Sequence, residues 1–445
     1  MATPALDAVT TFIVGAPSLR LPDAVTEAAK QALLDWFAVS AAAFHHPGPR
    51  SVADLMQHWK TEGQALTLYG KRGAAGPAAL VNGTLAHMLD YDDVHLGTAS
   101  HIGASVIAAA LAVGMDRGAT ETDILKAIVV GYEVGATLGG GGLGVRLADK
   151  AWHPTSILGT FAAAAATAFL VGLDDEQTRH AIGTAATQAA GLIAAGGSVA
   201  KPFHVGKAAM NGIMAAEGAK LGLTSKPGLI DDPRTGLFAV LLQEGVTPTV
   251  TDLGRTWQIV TNSYKPYPAC QFAHAPFEAA QKLKARAGGK TPAGFRVFVH
   301  PLGIKVAGNL HPKSPIEAKF SIAYGVGLGY AGAAMLESDF TAENLNNPEV
   351  DRVRANVELA PDPTLARWSA RVEMTRADGT SDSESIPGAL GSPENPMQWA
   401  DLERKFTLNA EPVYGARTKD MLRCLRSFEV RGRLADLRGL IESVR

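Results

Sequence analysis

The segment HMLDYDDVHLGTASHIG, residues 87–103, separates two apolar runs at residues 74–86 and 104–113. It places three aspartates, three histidines and a threonine in an otherwise apolar part of the chain. An unpaired polar group in a protein interior costs about 1 to 3 kcal/mol, and an unpaired charge costs more. The cluster is therefore either a network of helix caps and turns that satisfies itself, or a surface that faces a ligand. Both interpretations place a tightly packed helix on each side of it.

Apolar residues recur at helical spacing on both sides of this segment, over about the first 260 residues. The predicted helices are 23–43, 52–59, 74–89, 104–117, 121–138, 155–171, 175–195 and 207–221, with no strand between them. Beyond Lys265 the pattern mixes helices (277–287, 313–334) with alternating strands (295–300, 354–359, 370–375, 381–386), and helices return at 400–406 and 419–427. The predicted fold is mainly α: a large all-helical domain (1–265 and 396–445) and a smaller α+β domain (266–395) with an antiparallel sheet.

Charge and cysteine content exclude several functional classes. The chain carries 41 basic and 43 acidic residues without a long run of one sign, which argues against nucleic acid or a membrane surface as a partner. The N-terminal residues do not resemble a signal peptide, and the longest apolar run, 155–173, is typical of a buried helix, so we expect a cytoplasmic protein. Cys270 and Cys424 are too few for a disulfide framework or an iron-sulfur cluster, and no ligands occur at zinc spacing, so neither metal nor cofactor is predicted.

Glycines at 139–144 (GGGGLG) match the spacing of a dinucleotide-binding loop. Such a loop must follow a strand and open a helix, because the pyrophosphate lies on the helix N-terminus. Here the glycines follow a predicted helix. They indicate a flexible helix end and not a nucleotide site.

Two further polar clusters lie in the helical region. His153 immediately precedes a long alanine-rich helix, whose N-terminal N–H groups favour an anion. Lys201, His204 and Lys207 fall within a few residues of one another beside several glycines, which predicts a clamp for a carboxylate. The alternative for this second cluster is a solvated basic loop.

Two clusters lie near or beyond the predicted domain boundary, at 264–274 (YKPYPACQFAH) and 314–321. Clefts between domains are common ligand sites, so we expect the polar clusters to gather in such a cleft. The alternatives are a rigid linker at Lys265 and an exposed helix pair formed by Glu317 and Lys319.

Taken together, these segments resemble the MmgE/PrpD family, and they occur in the family's order over nearly the whole chain. The matching segments are LDYDD (89–93) with HIG (101–103), GYEV (131–134), HPTS (153–156), KPFHVGKAA (201–209), KPYPACQFAH (265–274), EAKFS (317–321) and DLERKF (401–406). The family contains 2-methylcitrate dehydratase, cis-aconitate decarboxylase and iminodisuccinate epimerase. The resemblance implies a large helical domain, a smaller α+β domain and commonly a homodimer.

The resemblance also implies a site that works without metal or organic cofactor on a carbon next to a carboxylate of a small di- or tricarboxylate. The site residues that it implies are Asp93, Thr98, His101, His153, Lys201, Lys207 and His274, of which we predict His101, His153 and Asp93 to be catalytic and the others to bind substrate. His204, Lys265 and Gln271 lie in the same polar clusters and are predicted to bind substrate as well. Gln271 stands where many relatives have arginine, and Ala273 where threonine is usual. Loss of the arginine removes a bidentate carboxylate contact, which puts the usual tricarboxylate substrate in question.

Removal of a proton next to a carboxylate requires a cation that neutralises the growing charge and a base within reach. Lys201, with His204 or Lys207, meets the first need. His101, oriented by Asp93, and His153 meet the second, because imidazoles titrate near neutral pH. The same residues could serve dehydration, decarboxylation or epimerisation. We predict a 2-methylcitrate dehydratase-like lyase first, an epimerase or decarboxylase second, and a non-catalytic carboxylate-binding protein last.

Overall fold

The computed structural model describes residues 4–289 and 292–444, which form two compact units. Unit 1 comprises Met1–Asn262 and Trp399–Arg445, and unit 2 comprises Ser263–Gln398. Helices dominate unit 1, whereas a small sheet with flanking helices forms unit 2. The predicted fold class, mainly α with a smaller α+β part, is confirmed.

The first part of unit 1 is a bundle built around one alanine-rich helix. Its helices are α1 (Ala5–Gly15), α2 (Asp23–Ala42), α3 (Pro47–Trp59), α4 (Ala75–Ala86), α5 (Ile102–Arg117), α6 (Glu121–Leu138), α7 (Leu143–Asp149), α8 (Pro154–Leu170), α9 (Asp175–Gln188), α10 (Ala200–Lys220) and α11 (Leu237–Leu242). Every residue of α8 from Pro154 to Ala168 is buried. Helices α5, α6, α9 and α10 pack around it.

Glycines allow the helices to approach closely. A Cβ atom at Gly131 of α6 would lie 2.4 Å from the carbonyl oxygen of Ala162 in α8. A Cβ atom at Gly206 of α10 would lie 2.1 Å from the carbonyl oxygen of Leu80 in α4. Since no side chain fits at either place, the packing depends on glycine, and it brings the start of α10 beside the end of α4.

Three details of unit 1 differ from the sequence-based prediction. A two-stranded antiparallel ribbon, β1 (Ala65–Leu66) and β2 (Arg72–Gly73), lies between α3 and α4, so the prediction of no strand in this region was wrong. Helix α9 ends at Gln188, and a loop continues to residue 199. Helix α10 begins at Ala200, so Lys201, His204 and Lys207 lie on a helix and not on a basic loop.

Unit 2 packs helices against a four-stranded sheet. Its elements are α12 (His274–Ala287), β3 (Pro292–Val299), α13 (Pro301–Ala307), α14 (Pro315–Lys319), α15 (Ile322–Ala331), α16 (Pro348–Arg354), β4 (Val357–Pro361), β5 (Ala370–Arg376) and β6 (Ser381–Ile386). The strand order is β4-β3-β5-β6. The sheet is mixed, because β3 and β4 run parallel while the other neighbours are antiparallel. Lys319 is buried and pairs with Glu337 at 2.6 Å, so it does not form an exposed pair with Glu317.

The chain then returns to unit 1 through α17 (Trp399–Tyr414), α18 (Thr418–Arg426) and α19 (Arg433–Glu442). Helix α17 packs on α2. Among the described residues, no single helix has the length and apolar character needed to cross a membrane; α6 and α7 meet that test only as a pair, bent by 65° at the glycine-rich turn between them. That turn directly follows helix α6 and opens helix α7, so it does not follow a strand as a dinucleotide-binding loop does.

Candidate active site

Asp92 lies between two imidazoles at the centre of the polar segment. His87, which ends α4, places its Nδ1 atom 2.8 Å from Asp92 Oδ2. His101, which precedes α5, places its Nδ1 atom 3.3 Å from Asp92 Oδ1. The sequence analysis assigned the carboxylate beside His101 to Asp93, and this assignment was wrong: the neighbouring Asp92 takes that place.

Asp90 connects the same segment to α10. Its backbone φ of +53° lies in the left-handed region, which aspartate tolerates better than most residues. Its Oδ1 atom lies 2.5 Å from Lys201 Nζ and 3.7 Å from His101 Nε2. Lys201 therefore reaches the polar segment. In this structure its ammonium group binds a carboxylate of the protein itself, that of Asp90.

Four imidazoles form a row that starts at His101. The ring centroids are 4.8 Å apart for His101 and His87, 5.5 Å for His87 and His153, and 5.9 Å for His153 and His204. His153 caps the start of α8, and His204 lies on α10. The structure thus brings together three of the predicted histidines and adds His87, which the sequence analysis quoted but did not assign.

Burial determines the protonation of three imidazoles in this row. It lowers the pKa of His87, His204 and His153, the last to about 2, with the nearby charges of His87 and Lys201 adding to the effect at His153. Burial alone would raise the pKa of Asp92, but the adjacent His87 and His101 outweigh it and hold that pKa below its ordinary value. A neutral His87 that donates its Nδ1–H to ionised Asp92 fits both directions.

Several ring nitrogens of this row lack a hydrogen-bond partner among the described residues. His87 Nε2, His153 Nδ1 and His204 Nδ1 are buried and have no hydrogen-bond partner within residues 4–289 and 292–444. A buried polar atom without a partner costs free energy unless a water or a ligand satisfies it. The row is therefore equipped to bind or to exchange protons with a polar ligand.

Asp93 takes part in a second hydrogen-bond network, separate from the row of imidazoles. Its Oδ2 atom accepts a hydrogen bond from Asn262 Nδ2 at 2.7 Å, and Tyr132 donates its hydroxyl to Asn262 Oδ1 at 2.8 Å. Burial, with the charges of Asp92 and Asp35 adding to it, raises the pKa of Asp93 to about 7. A Cβ atom at Gly103 would lie 2.4 Å from its carboxylate. Asp93, predicted to be catalytic, thus pairs with Asn262 and lies against Gly103 near the start of α5.

Thr98 was predicted to bind substrate, but the structure buries it completely. Its hydroxyl oxygen lies 2.9 Å from His95 Nδ1 and 2.6 Å from Ser100 Oγ. It therefore stabilises the turn that leads to His101. A second buried threonine also has a structural contact: Thr155 Oγ1 accepts a hydrogen bond from the backbone N–H of His101 at 3.1 Å and so ties the starts of α5 and α8 together.

Lys207 lies further along α10 than Lys201. Its ammonium group donates to Asn211 Oδ1, and Asn211 in turn donates to the carbonyl oxygen of Gln188 at 3.0 Å. Burial lowers the pKa of Lys207. The residue is half-buried on the same helix as Lys201 and His204, and its role in substrate binding stays a prediction.

The remaining predicted residues belong to unit 2. Lys265 and Gln271 are 6% and 9% exposed, and His274 is completely buried. His274 Nε2 lies 3.1 Å from the carbonyl oxygen of Ala269, and its ring packs edge-on against Tyr267. These contacts hold His274 within unit 2, and its role in substrate binding stays a prediction, as do those of Lys265 and Gln271.

One group of side chains has the composition of a metal site. Ligand atoms of His87, Asp92 and His101 all lie within 4.8 Å of one another. Two carboxylate contacts within this group are at 2.8 Å and 3.3 Å, so its side chains are close enough to be tested as ligands of one ion.

Sequence comparisons identify the family. The model of the MmgE/PrpD N-terminal domain matches residues 7–248, and the model of the MmgE/PrpD C-terminal domain matches residues 267–427. The chain therefore belongs to the MmgE/PrpD family, and the resemblance noted in the sequence is confirmed.

Individual relatives make the comparison more specific. The chain is 27% identical to a cis-aconitate decarboxylase of Aspergillus terreus over 95% of this chain and 92% of that protein. It is 26% identical to the cis-aconitate decarboxylase of Homo sapiens over 93% and 89%. A cis-aconitate decarboxylase-like protein, oryM, of Aspergillus oryzae is 32% identical over 59% of this chain and 58% of that protein. These matches support an enzyme of this family.

Proposed function

We propose that the protein is a lyase that decarboxylates a small unsaturated tricarboxylate of the cis-aconitate type. The observation that carries the proposal is the arrangement of Asp92 between His87 and His101, beside the pair of Lys201 and Asp90. It combines proton-transfer groups with a carboxylate-binding cation in one cluster. The names of the relatives, which match over most of the chain, favour decarboxylation among the family's reactions.

The chemistry sets two requirements. When a carboxylate one carbon away from a double bond leaves as carbon dioxide, the electron pair of the broken C–C bond shifts the double bond. Negative charge then develops on the carbon next to a second carboxylate, and a proton must be added to that carbon. A site for this reaction stabilises the developing charge and supplies one proton.

The side chains divide between these tasks. Lys201 binds the carboxylate next to which the charge develops, and in doing so exchanges Asp90 for the substrate. His101 delivers the proton and, because its side chain is partly exposed to solvent, takes up the next one from water; Asp90 and Asp92, at 3.7 Å and 3.3 Å from its ring nitrogens, orient the ring. His153 lies further along the row, where its unpartnered Nδ1 atom can accept a hydrogen bond from a protonated or hydroxylated group.

The dehydratase that ranked first from the sequence becomes the second candidate. Loss of water from a 2-methylcitrate-like substrate would use the same imidazoles, with the proton going to a leaving hydroxyl group. An epimerase follows, and a non-catalytic carboxylate-binding protein ranks last, because His101, His153 and Lys201 are all present in one cluster. The homodimer and the cytoplasmic location stay predictions.

The test is incubation of the purified protein with cis-aconitate, 2-methylcitrate and other small di- and tricarboxylates in deuterated water. Proton NMR follows the products, and a carbon dioxide assay runs beside it. We expect carbon dioxide release from an unsaturated tricarboxylate and one solvent deuteron in the product. The His101→Ala variant is the control for contaminating activity. Loss of water without carbon dioxide would identify a dehydratase, and saturable binding without turnover would identify a binding protein.

A further inference from the structure

A buried ion pair connects the C-terminal part of unit 1 to α2. Lys405 of α17 places its Nζ atom 2.6 Å from Asp35 Oδ1, and the two side chains are only 2% and 1% exposed. Lys405 belongs to the DLERKF segment, which the proposed reaction leaves without a role. An ion pair this deep loses much hydration, and apolar residues of similar volume often stabilise a fold as well or better. Stabilisation of the fold is therefore a weak explanation for the presence of the ion pair between Lys405 and Asp35.

The same ammonium group also holds Tyr91. Lys405 Nζ donates a hydrogen bond to the carbonyl oxygen of Tyr91 at 3.1 Å. It lies 3.9 Å from the centroid of the Tyr91 ring, within the range of a cation–π contact. Tyr91 is 2% exposed. Lys405 thus binds both the backbone and the side chain of one residue in the polar segment.

Tyr91 lies between two aspartates of the candidate active site, so the contact with Lys405 affects their positions. It separates Asp90, which pairs with Lys201, from Asp92, which lies between His87 and His101. The backbone at Asp90 adopts a left-handed conformation that local preference does not favour. A fixed Tyr91 carbonyl group restricts the rotation of both flanking residues, so it sets the directions of both carboxylates.

We propose that Lys405 is a positioning residue of the active site: it holds Tyr91 and thereby aims the carboxylates of Asp90 and Asp92 at the imidazoles and at Lys201. The proposal rests on the proposed function for its kinetic consequence, but its structural consequence does not depend on the substrate. A displacement of about 1 Å in a catalytic group can lower a rate by about a hundredfold. Loss of the Lys405 contact is therefore expected to act mainly on kcat.

Two double variants separate positioning from charge compensation. The apolar double variant, Asp35→Leu with Lys405→Met, removes the buried charges and the hydrogen-bond donor to Tyr91. The amide double variant, Asp35→Asn with Lys405→Gln, also removes the charges but retains an N–H donor at position 405. Both avoid an unpaired buried charge, so both are expected to fold. We expect the apolar variant to lower kcat by about 10 to 100-fold with KM changed less than about threefold, and the amide variant to retain kcat within about threefold.

Lys30→Met is the matched control. Lys30 also lies on α2, is 5% exposed, and pairs with Glu27 at 2.5 Å and Glu429 at 3.1 Å. None of these contacts involves the polar segment. We expect a lower unfolding temperature for this variant with kcat unchanged.

Imidazole NMR signals provide a readout that requires no substrate. We expect the signals of His87 and His101 to shift in the apolar double variant and to stay at their wild-type positions in the amide double variant and in Lys30→Met. Identical spectra and equal kcat in the two double variants would overturn the proposal, as would equal shifts in Lys30→Met. If no carboxylate is turned over while the spectra differ as expected, the proposed function fails and the positioning role stands.

Discussion

Replacement of Asp93 by asparagine should change how stability depends on pH. Asp93 is 4% exposed, and burial, with the charges of Asp92 and Asp35, raises its pKa to about 7 from an ordinary value of 3.8. The native state therefore binds this proton more tightly than the unfolded chain does. The contribution is fully present below about pH 4 and is lost as the pH rises through about 7, so the free energy of unfolding falls over that window.

The size of the effect follows from the two pKa values. About 1.4 kcal/mol per pH unit, over the interval from 3.8 to about 7, gives at most about 4 kcal/mol. The introduced asparagine has no proton to lose, and its side-chain oxygen can still accept the hydrogen bond that Asn262 donates to Asp93. Relative to wild type, Asp93→Asn should therefore gain stability steadily between pH 4 and 7 and hold that gain at higher pH.

Urea unfolding followed by tryptophan fluorescence at several pH values measures this difference. The value at pH 4, where Asp93 is protonated, isolates any packing cost of the substitution. Asp232→Asn is the control: backbone N–H groups of Arg234 and Thr235 lower the pKa of that exposed carboxyl, so its contribution changes only below about pH 4. Stability curves of Asp93→Asn and wild type that run parallel from pH 4 to 7 would refute the assignment of Asp93 as a buried carboxyl group with a raised pKa.

Three further predictions concern the active site itself. His101→Ala should lower kcat by about 10² to 10⁴ while the protein stays folded, whereas Lys201→Ala should mainly raise KM. An unchanged kcat in a folded His101→Ala variant would assign the proton transfer to His153 instead. Activity should survive dialysis against a chelator, and loss that zinc or iron restores would instead make His87, Asp92 and His101 a metal site. Burial lowers the pKa of His87 and His153, so a bound polycarboxylate should raise the pKa of one of them and take up protons near pH 7. Calorimetry in two buffers of different ionisation enthalpy measures this uptake, and equal heats would contradict it.

Helical periodicity was strong enough to predict most of the fold. The ribbon of β1 and β2 was missed because strands of two residues cannot show an alternating pattern. The start of α10 was missed because Pro202 and the nearby glycines are typical of a loop, although proline fits the first turn of a helix. The parallel pairing of β3 with β4 was missed because alternation gives the faces of a strand but not its direction.

The site was located by its polarity but not resolved in detail. The sequence has three aspartates within four residues, and it does not indicate which of them contacts His101. The direction of each side chain depends on the left-handed backbone at Asp90 and on the contacts that hold Tyr91. His87 could have been found, since it lies five residues before Asp92 at the end of a predicted helix. The Asn262 bridge could not have been found, because it joins residues 169 positions apart.

Helix termini would allow the proposed site to bind a polycarboxylate with few cationic side chains. His101 precedes α5, His153 precedes α8, and Lys201 lies in the first turn of α10. The hydrogen bond from His101 to Thr155 and the row of rings hold these three helix starts around one place. Each N-terminus carries N–H groups without a helical partner and a partial positive charge. Under the proposed function, the glycine contacts that pack α4 against α10 and α6 against α8 would support binding, because they fix the distances between these helices.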